Sequence, residues 1–66
     1  MRVQYDPAAD AMYIGLAEGA VADSDEVRER VMLHCDASGK LLAIELLAVC
    51  KRAGNTREIA YEMLAG

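Results

Sequence analysis

The sequence predicts a small α+β protein: an antiparallel β-meander of about four strands followed by a C-terminal amphipathic helix. Two observations predict the sheet. Short apolar runs alternate with a period of two residues, and Asp, Pro and Gly separate these runs. A third predicts the helix, since apolar residues near the C-terminus recur at helical spacing. The predicted strands and helix are residues 2–6, 11–17, 27–36, 40–47 and 56–65.

The first two strands flank the segment DPAAD, which predicts a hairpin turn. In the preceding RVQYD, Val3 and Tyr5 share one face of the first strand. Asp6 can accept the backbone N–H two residues on, and Pro7 presets φ for the second position of a type I turn. Asp10 can bond the returning backbone. We therefore expect both carboxylates to serve the turn.

A polar connection, EGAVADSDE, precedes the third predicted strand. That strand alternates again, and its core-facing set is Val27, Glu29, Val31, Leu33 and Cys35. The segment DASGK then predicts a second hairpin turn. Asp36 opens this turn, and Gly39 can take the left-handed conformation that closes it with a bulge.

The segment KLLAIELLAVCKRA is ambiguous from its residues alone. Its Leu, Ala, Glu and Lys content favours a helix. The hairpin turn before it favours a strand over residues 40–47, because a ribbon needs its second half. In that strand Glu45 either faces solvent or pairs with a basic residue such as Arg2 or Arg30, which would fix the register.

The final segment, NTREIAYEMLAG, predicts a helix. Asn55 is a suitable N-cap, and Glu58 three residues later completes the pattern of a capping box. One apolar stripe follows, formed by Ile59, Ala60, Met63 and Leu64. This stripe needs a surface to cover, either the sheet of its own chain or a sister subunit.

A chain of 66 residues predicts one domain, near the lower size limit for independent folding. Such a domain buries only about 60% of the surface of its unfolded chain, so it needs disulfides, a metal or a second subunit. Cys35 and Cys50 are the only cysteines, and with the single His34 they do not make a zinc site. We expect a homo-oligomer, most simply a dimer, with no metal or other cofactor.

Charge and hydropathy indicate the expected compartment and partners. The net charge of −4 disfavours nucleic acid and makes a basic protein partner electrostatically easier. The first residues, MRVQY, lack the basic head and long apolar run of a signal peptide, so we expect none, and the longest apolar run is too short to cross a membrane. We therefore expect a cytoplasmic protein with reduced thiols and no membrane partner.

Catalytic motifs are missing from the sequence, so we expect a protein without enzymatic activity. His34 and Cys35 are neighbours on a strand and point to opposite faces, which prevents them from forming a nucleophile pair. The alternative is a small metal- or ligand-binding protein or hydrolase that uses Asp6, Asp10 and Asp36, with His34. That alternative requires these side chains to converge on one site.

The sequence resembles the domain-of-unknown-function family twenty-two eighty-three over about residues 3–47. The resemblance rests on a Tyr-Asp-x-x-x-Asp-x-x-Tyr-Ile pattern, an Asp-x-x-Gly turn and an Ile-Glu pair. The matching residues are Tyr5, Asp6, Asp10, Tyr13, Ile14, Asp36, Gly39, Ile44 and Glu45. The resemblance implies an antiparallel β-meander with a helix, and a strand for residues 40–47. It implies no agreed activity, although some relatives resemble the small partner of toxin–antitoxin gene pairs.

Overall fold

The computed structural model describes residues 1–65, which form an antiparallel sheet of five strands and one short helix. The predicted α+β class is confirmed, whereas the predicted number of strands is too small by one. The elements are β1 (Arg2–Asp6), β2 (Ala11–Gly15), β3 (Asp23–Arg28), β4 (Val31–Cys35), β5 (Leu41–Leu47) and α1 (Val49–Ala53).

The strand order is β1-β2-β5-β4-β3, so the prediction of a simple meander is wrong. Strand β5 lies in the centre, between β2 and β4, and the connection from β2 to β3 passes the end of the sheet. The backbone carbonyl of Leu42 accepts the N–H groups of Leu16 and Ala17, which starts this connection. Central placement suits LLAIELL, because a strand that is paired on both edges has the most surface covered.

The predicted strand 27–36 is divided into two strands, β3 and β4. The chain reverses at Glu29 and Arg30, and Arg30 takes the left-handed conformation with φ of 63°. Its N–H donates to the Glu26 carboxylate at 3.1 Å, which supports the turn. Sequence reasoning missed this turn because it contains no Gly, Pro, Asn or Asp and the alternation continues through it.

Residues of the predicted polar connection also form part of β3. Its first four residues are Asp23, Ser24, Asp25 and Glu26, and every residue of this strand is exposed. Acidic residues are tolerated here because β3 is an edge strand, where charge also discourages pairing with other sheets. Val27 and Glu29 are therefore exposed, contrary to the predicted core-facing set, whereas Val31, Leu33 and Cys35 are half-buried.

The predicted helix over residues 56–65 is wrong, since these residues have no helical structure. The only helix in residues 1–65 is α1, which ends at Gly54 with φ of 77°. A helix of about ten residues is marginal in water unless an apolar face packs on something. Ile59, Met63 and Leu64 of the predicted stripe are all exposed, so nothing in this chain supplies that packing. The helix α1 is too short and not apolar enough to cross a membrane.

The register defines an apolar face over β1, β2, β5 and β4, made of two rows that end on the edge strand β3 in Asp25 and Arg28. The first row is Val3, Ile14, Ile44 and Leu33, and the second row is Tyr5, Met12, Leu46 and Val31. The opposite, polar face also has two rows, which are Arg2, Gly15, Ala43, His34 and Ser24, and Gln4, Tyr13, Glu45, Met32 and Glu26.

The hydrophobic core is small. Its fully buried members are Ala11, Leu42, Ala43 and Val49. Leu42 is covered by the connection between β2 and β3, where a Cβ on Gly19 would lie 3.1 Å from the Leu42 side chain. Gly19 thus allows a close approach, and a larger residue there would crowd the Leu42 side chain. Most apolar side chains of the sheet remain half-buried.

Candidate functional site

The first hairpin turn connects the sheet to α1 through Asp10. Asp6 caps the turn, since its carboxylate accepts the N–H of Ala8 at 3.0 Å. The Tyr5 hydroxyl donates to Asp10 Oδ1 at 2.7 Å. The same carboxylate accepts the N–H of Cys50 at 3.1 and 3.2 Å, and the Asp10 carbonyl accepts the N–H of Val49 at 3.1 Å. Asp10 therefore bonds to α1, forty residues further along the chain.

These contacts shift the pKa values of both partners. The hydrogen bonds from Tyr5 and then Cys50 lower the pKa of Asp10, because they stabilise its carboxylate. Around Tyr5, the Thr56 hydroxyl acts to lower the pKa. The hydrogen bonds with Cys50 and Asp10 act in the opposite direction and raise the pKa of Tyr5 to about 12. At neutral pH the pair is therefore a neutral phenol that donates to a charged carboxylate.

The second hairpin turn is closed by Asp36. Its Oδ1 accepts the hydroxyl of Ser38 at 2.7 Å, the N–H of Ser38 at 2.9 Å and the N–H of Lys40 at 2.9 Å. The hydrogen bonds from Ser38 and then Lys40 lower the pKa of Asp36. Gly39 has φ of 88°. The register between β4 and β5 shifts after His34, because His34 pairs with Ala43 and Cys35 pairs with Leu41, which leaves Leu42 of β5 as the extra residue.

The two turns lie at opposite ends of the sheet. Ala11, just after the first turn, pairs with Leu47, while Cys35, just before the second turn, pairs with Leu41. The full length of β5 therefore separates them, about 20 Å. Asp36 does not meet Asp6 and Asp10, so the shared carboxylate site of the alternative prediction is not formed. Within residues 1–65, no group of three or more His, Cys, Asp or Glu is placed to hold a metal ion.

A hydrogen-bonded cluster lies on the polar face, formed by Ser24, His34 and Glu45. The Ser24 hydroxyl is 2.7 Å from His34 Nδ1, and His34 Nε2 is 2.9 Å from Glu45 Oε1. The cluster links β3, β4 and β5. Of the two alternatives for Glu45, pairing across strands is the one observed, and its partner is His34, while Arg30 lies 3.9 Å from the carboxylate of Glu29. Sequence reasoning missed Ser24 because it placed this residue in a loop.

Tyr13 adds an aromatic contact to this cluster. Its ring stacks on the His34 imidazole, with centroids 6.0 Å apart and an angle of 29° between the planes. The two rings belong to β2 and β4, on either side of β5. Tyr13 pairs with Glu45, but its ring lies beside Gly15, where a Cβ would be 3.4 Å from Tyr13 Cε1. The β5 residue between Gly15 and His34 is Ala43, which is fully buried, so the two rings can meet across it. A larger residue at this position would push the rings apart.

The cluster has the order of a nucleophile, a base and an orienting carboxylate. Acyl transfer also needs donors aimed at the developing oxyanion in a site that excludes water. Ser24 instead lies on an exposed edge strand. A cavity of about 470 Å³ lies elsewhere, between the N-terminus and the β2–β3 connection, and Ser24 does not line it. The arrangement accounts for the fixed register of three strands better than for catalysis.

The apolar face of the sheet is only partly covered. Ile44 and Leu46 belong to the central strand, yet both remain half-buried. In a domain with two packed layers, such residues would be fully buried. Val3, at the edge of the same face, is 42% exposed. The face therefore has the composition of a core, yet its side chains are only half-buried and Val3 is exposed.

Fold and site together define a small antiparallel sheet protein with two Asp-capped hairpins. The family model "Protein of unknown function (DUF2283)" matches residues 2–49. The chain belongs to this family, which confirms the resemblance seen in the sequence. No curated protein and no solved structure matches the chain.

Proposed function

We propose that this protein is an interaction module without enzymatic activity, and that its first partner is a second copy of itself. One observation supports self-association most strongly. The chain exposes 5178 Å² of surface, whereas a compact monomer of 7.1 kDa exposes about 4,100 Å². The excess of roughly 1,100 Å² is shared between the half-buried sheet and the largely exposed residues 55–65, and it exceeds the ~800 Å² that each partner contributes to a standard interface.

The physical argument follows from the single layer. Stable domains pack two layers of secondary structure around one core, and this chain supplies one sheet and a helix of five residues. Its fully buried hydrophobic residues are few, and two of them are alanines, so the core alone contributes little to the stability of the fold. A homodimer supplies the second layer at no cost in chain length.

Light scattering coupled to size-exclusion chromatography tests this proposal. We expect a mass of twice 7.1 kDa at micromolar concentration, with dissociation on dilution. A folded monomer of 7.1 kDa at every concentration up to about 1 mM would contradict self-association.

A second candidate partner is a basic protein, in the manner of an antitoxin bound to a toxin. The observation that favours it is the acidity of β3, where Asp23, Asp25 and Glu26 lie along an exposed edge strand. An edge of this kind attracts basic segments and repels phosphate backbones, so we do not propose a nucleic-acid partner. Two free cysteines are compatible with the cytoplasm, which we propose as the compartment.

Co-purification tests the second candidate, with the protein encoded by the neighbouring gene as the bait. The control variant is Asp23→Asn with Asp25→Asn, which keeps the shape of β3 and removes two charges. We expect wild-type protein to bind and the control to bind at least about tenfold more weakly. This candidate would be wrong if the bait recovered wild-type protein and the variant equally, or recovered neither of them.

A further inference from the structure

We propose that the two copies associate face to face, with the apolar face of one sheet packed on the apolar face of the other. This inference rests on the self-association proposed above and names the surface that mediates it. The contact is isologous, since each copy contributes the same two rows of side chains. The product is a β-sandwich whose core lies between two identical sheets.

The composition of the two rows supports this surface. Seven of the eight side chains in the rows are purely apolar, and the eighth is Tyr5, whose hydroxyl already bonds Asp10. Over β1, β2, β5 and β4 the rows contain no charged side chain, and the charged Asp25 and Arg28, which continue them on the exposed edge strand β3, lie outside the proposed contact. Sheet packing requires this property, because an unpaired charge between two sheets would cost far more than a contact gains.

The surroundings of the apolar face confine the contact to its centre. At one end, the connection between β2 and β3 covers Leu42. At the other end, the Tyr5 side chain on this face lies 3.5 Å from the Cys50 sulfur, so α1 borders the rows there. Between these borders lie Ile14, Ile44 and Leu33, in a row that crosses β2, β5 and β4.

A dimer that pairs through either edge strand would cover less of the apolar surface than the face-to-face dimer. Two β3 strands would bring acidic residues of both copies together, which is unfavourable. Two β1 strands could pair about Gln4, with Arg2 opposite Asp6, but this ladder would leave both apolar rows in water. Of these three arrangements, the face-to-face one alone removes the central residues Ile44 and Leu46 from solvent.

The matched variants Val3→Lys and Gln4→Lys test the surface. They place the same charge on neighbouring residues of β1, and only Val3 lies on the apolar face. Val3 is already 42% exposed, so the monomer tolerates the change. We expect Val3→Lys to weaken dimerisation by roughly tenfold or more and Gln4→Lys by less than about threefold. Similar dissociation constants for both variants, in a protein that still dimerises, would overturn the face-to-face model.

Isotope-filtered NOE spectra of a dimer with one labelled and one unlabelled copy give an independent test. We expect contacts between copies among the methyl groups of Ile14, Leu33 and Ile44. Intermolecular contacts between β1 backbones, or from Ile59 and Leu64 to the sheet, would overturn this surface while leaving self-association intact. A monomer under all conditions would instead refute the proposed function.

Discussion

Truncation of Val49 gives the sharpest test of how α1 is held on the sheet. Val49 is 2% exposed, although its helix has only five residues and its neighbour Cys50 is exposed. Val49→Ala removes two buried methyl-sized groups, which lowers the free energy of unfolding by about 1.6 kcal/mol from transfer alone. A residual cavity brings the expected loss to about 2 kcal/mol.

That loss is large for a chain of this size, whose core supplies only about 3–5 kcal/mol. We therefore expect the melting temperature to fall by roughly 8–16 °C. The assay is urea and thermal unfolding at one fixed protein concentration, because dimerisation links stability to concentration. Val21→Ala is the matched control, since Val21 is 50% exposed in the β2–β3 connection. If the two variants differed by less than about 0.5 kcal/mol, α1 would not be anchored through Val49.

Three further predictions concern polar groups. Asp10 and Asp36 have lowered pKa values, so their stabilising effect is complete above about pH 4 and is lost as the pH falls through their folded pKa values. The free energy of unfolding of the double variant Asp10→Asn with Asp36→Asn should therefore depend less on pH in acid. An acid limb identical to that of the wild type would contradict this. The pKa of Tyr5 is raised to about 12, so the stabilisation from its neutral hydroxyl is present below about pH 10 and is lost between about pH 10 and 12. Tyr5→Phe should therefore flatten the alkaline limb of the free energy of urea unfolding. A steeper limb would refute the raised pKa of Tyr5. A double-mutant cycle of His34→Ala and Glu45→Ala should give a coupling of about 1 kcal/mol for this half-buried pair, and a value near zero would show that the pair does not fix the register.

Sequence reasoning recovered the parts of the fold that local chemistry determines. The turn at Asp36 and Gly39 has its residues in adjacent positions, and the alternation of β1, β2 and β5 is visible in short windows. The strand at residues 41–47 overrode a helical propensity because it pairs on both edges.

The parts that were missed depend on contacts between distant residues. Nothing near Glu29 or Arg30 indicates a turn, and the pairing of β3 with β4 determines it. The insertion of β5 between β2 and β4 is a property of the whole sheet. The predicted helix over residues 56–65 had correct local signals and no surface to pack on.

The candidate site shows the same division. The roles of Asp6 and Asp36 in capping their own turns are local, so sequence could suggest them. The bond between Asp10 and Cys50 spans forty residues, and the Ser24 contact to His34 exists only because β3 is a strand. These partners could not be identified before the topology was known.

Solvent exposure of the Ile44 methyl groups in solution tests the central claim most directly. A soluble paramagnetic agent broadens the signals of exposed methyl groups and leaves buried ones sharp. We predict that the Ile44 signals are protected in the wild-type protein at high concentration and become broadened on dilution or in Val3→Lys. Equal broadening at every concentration would show that no second copy covers the sheet, and the account would be wrong.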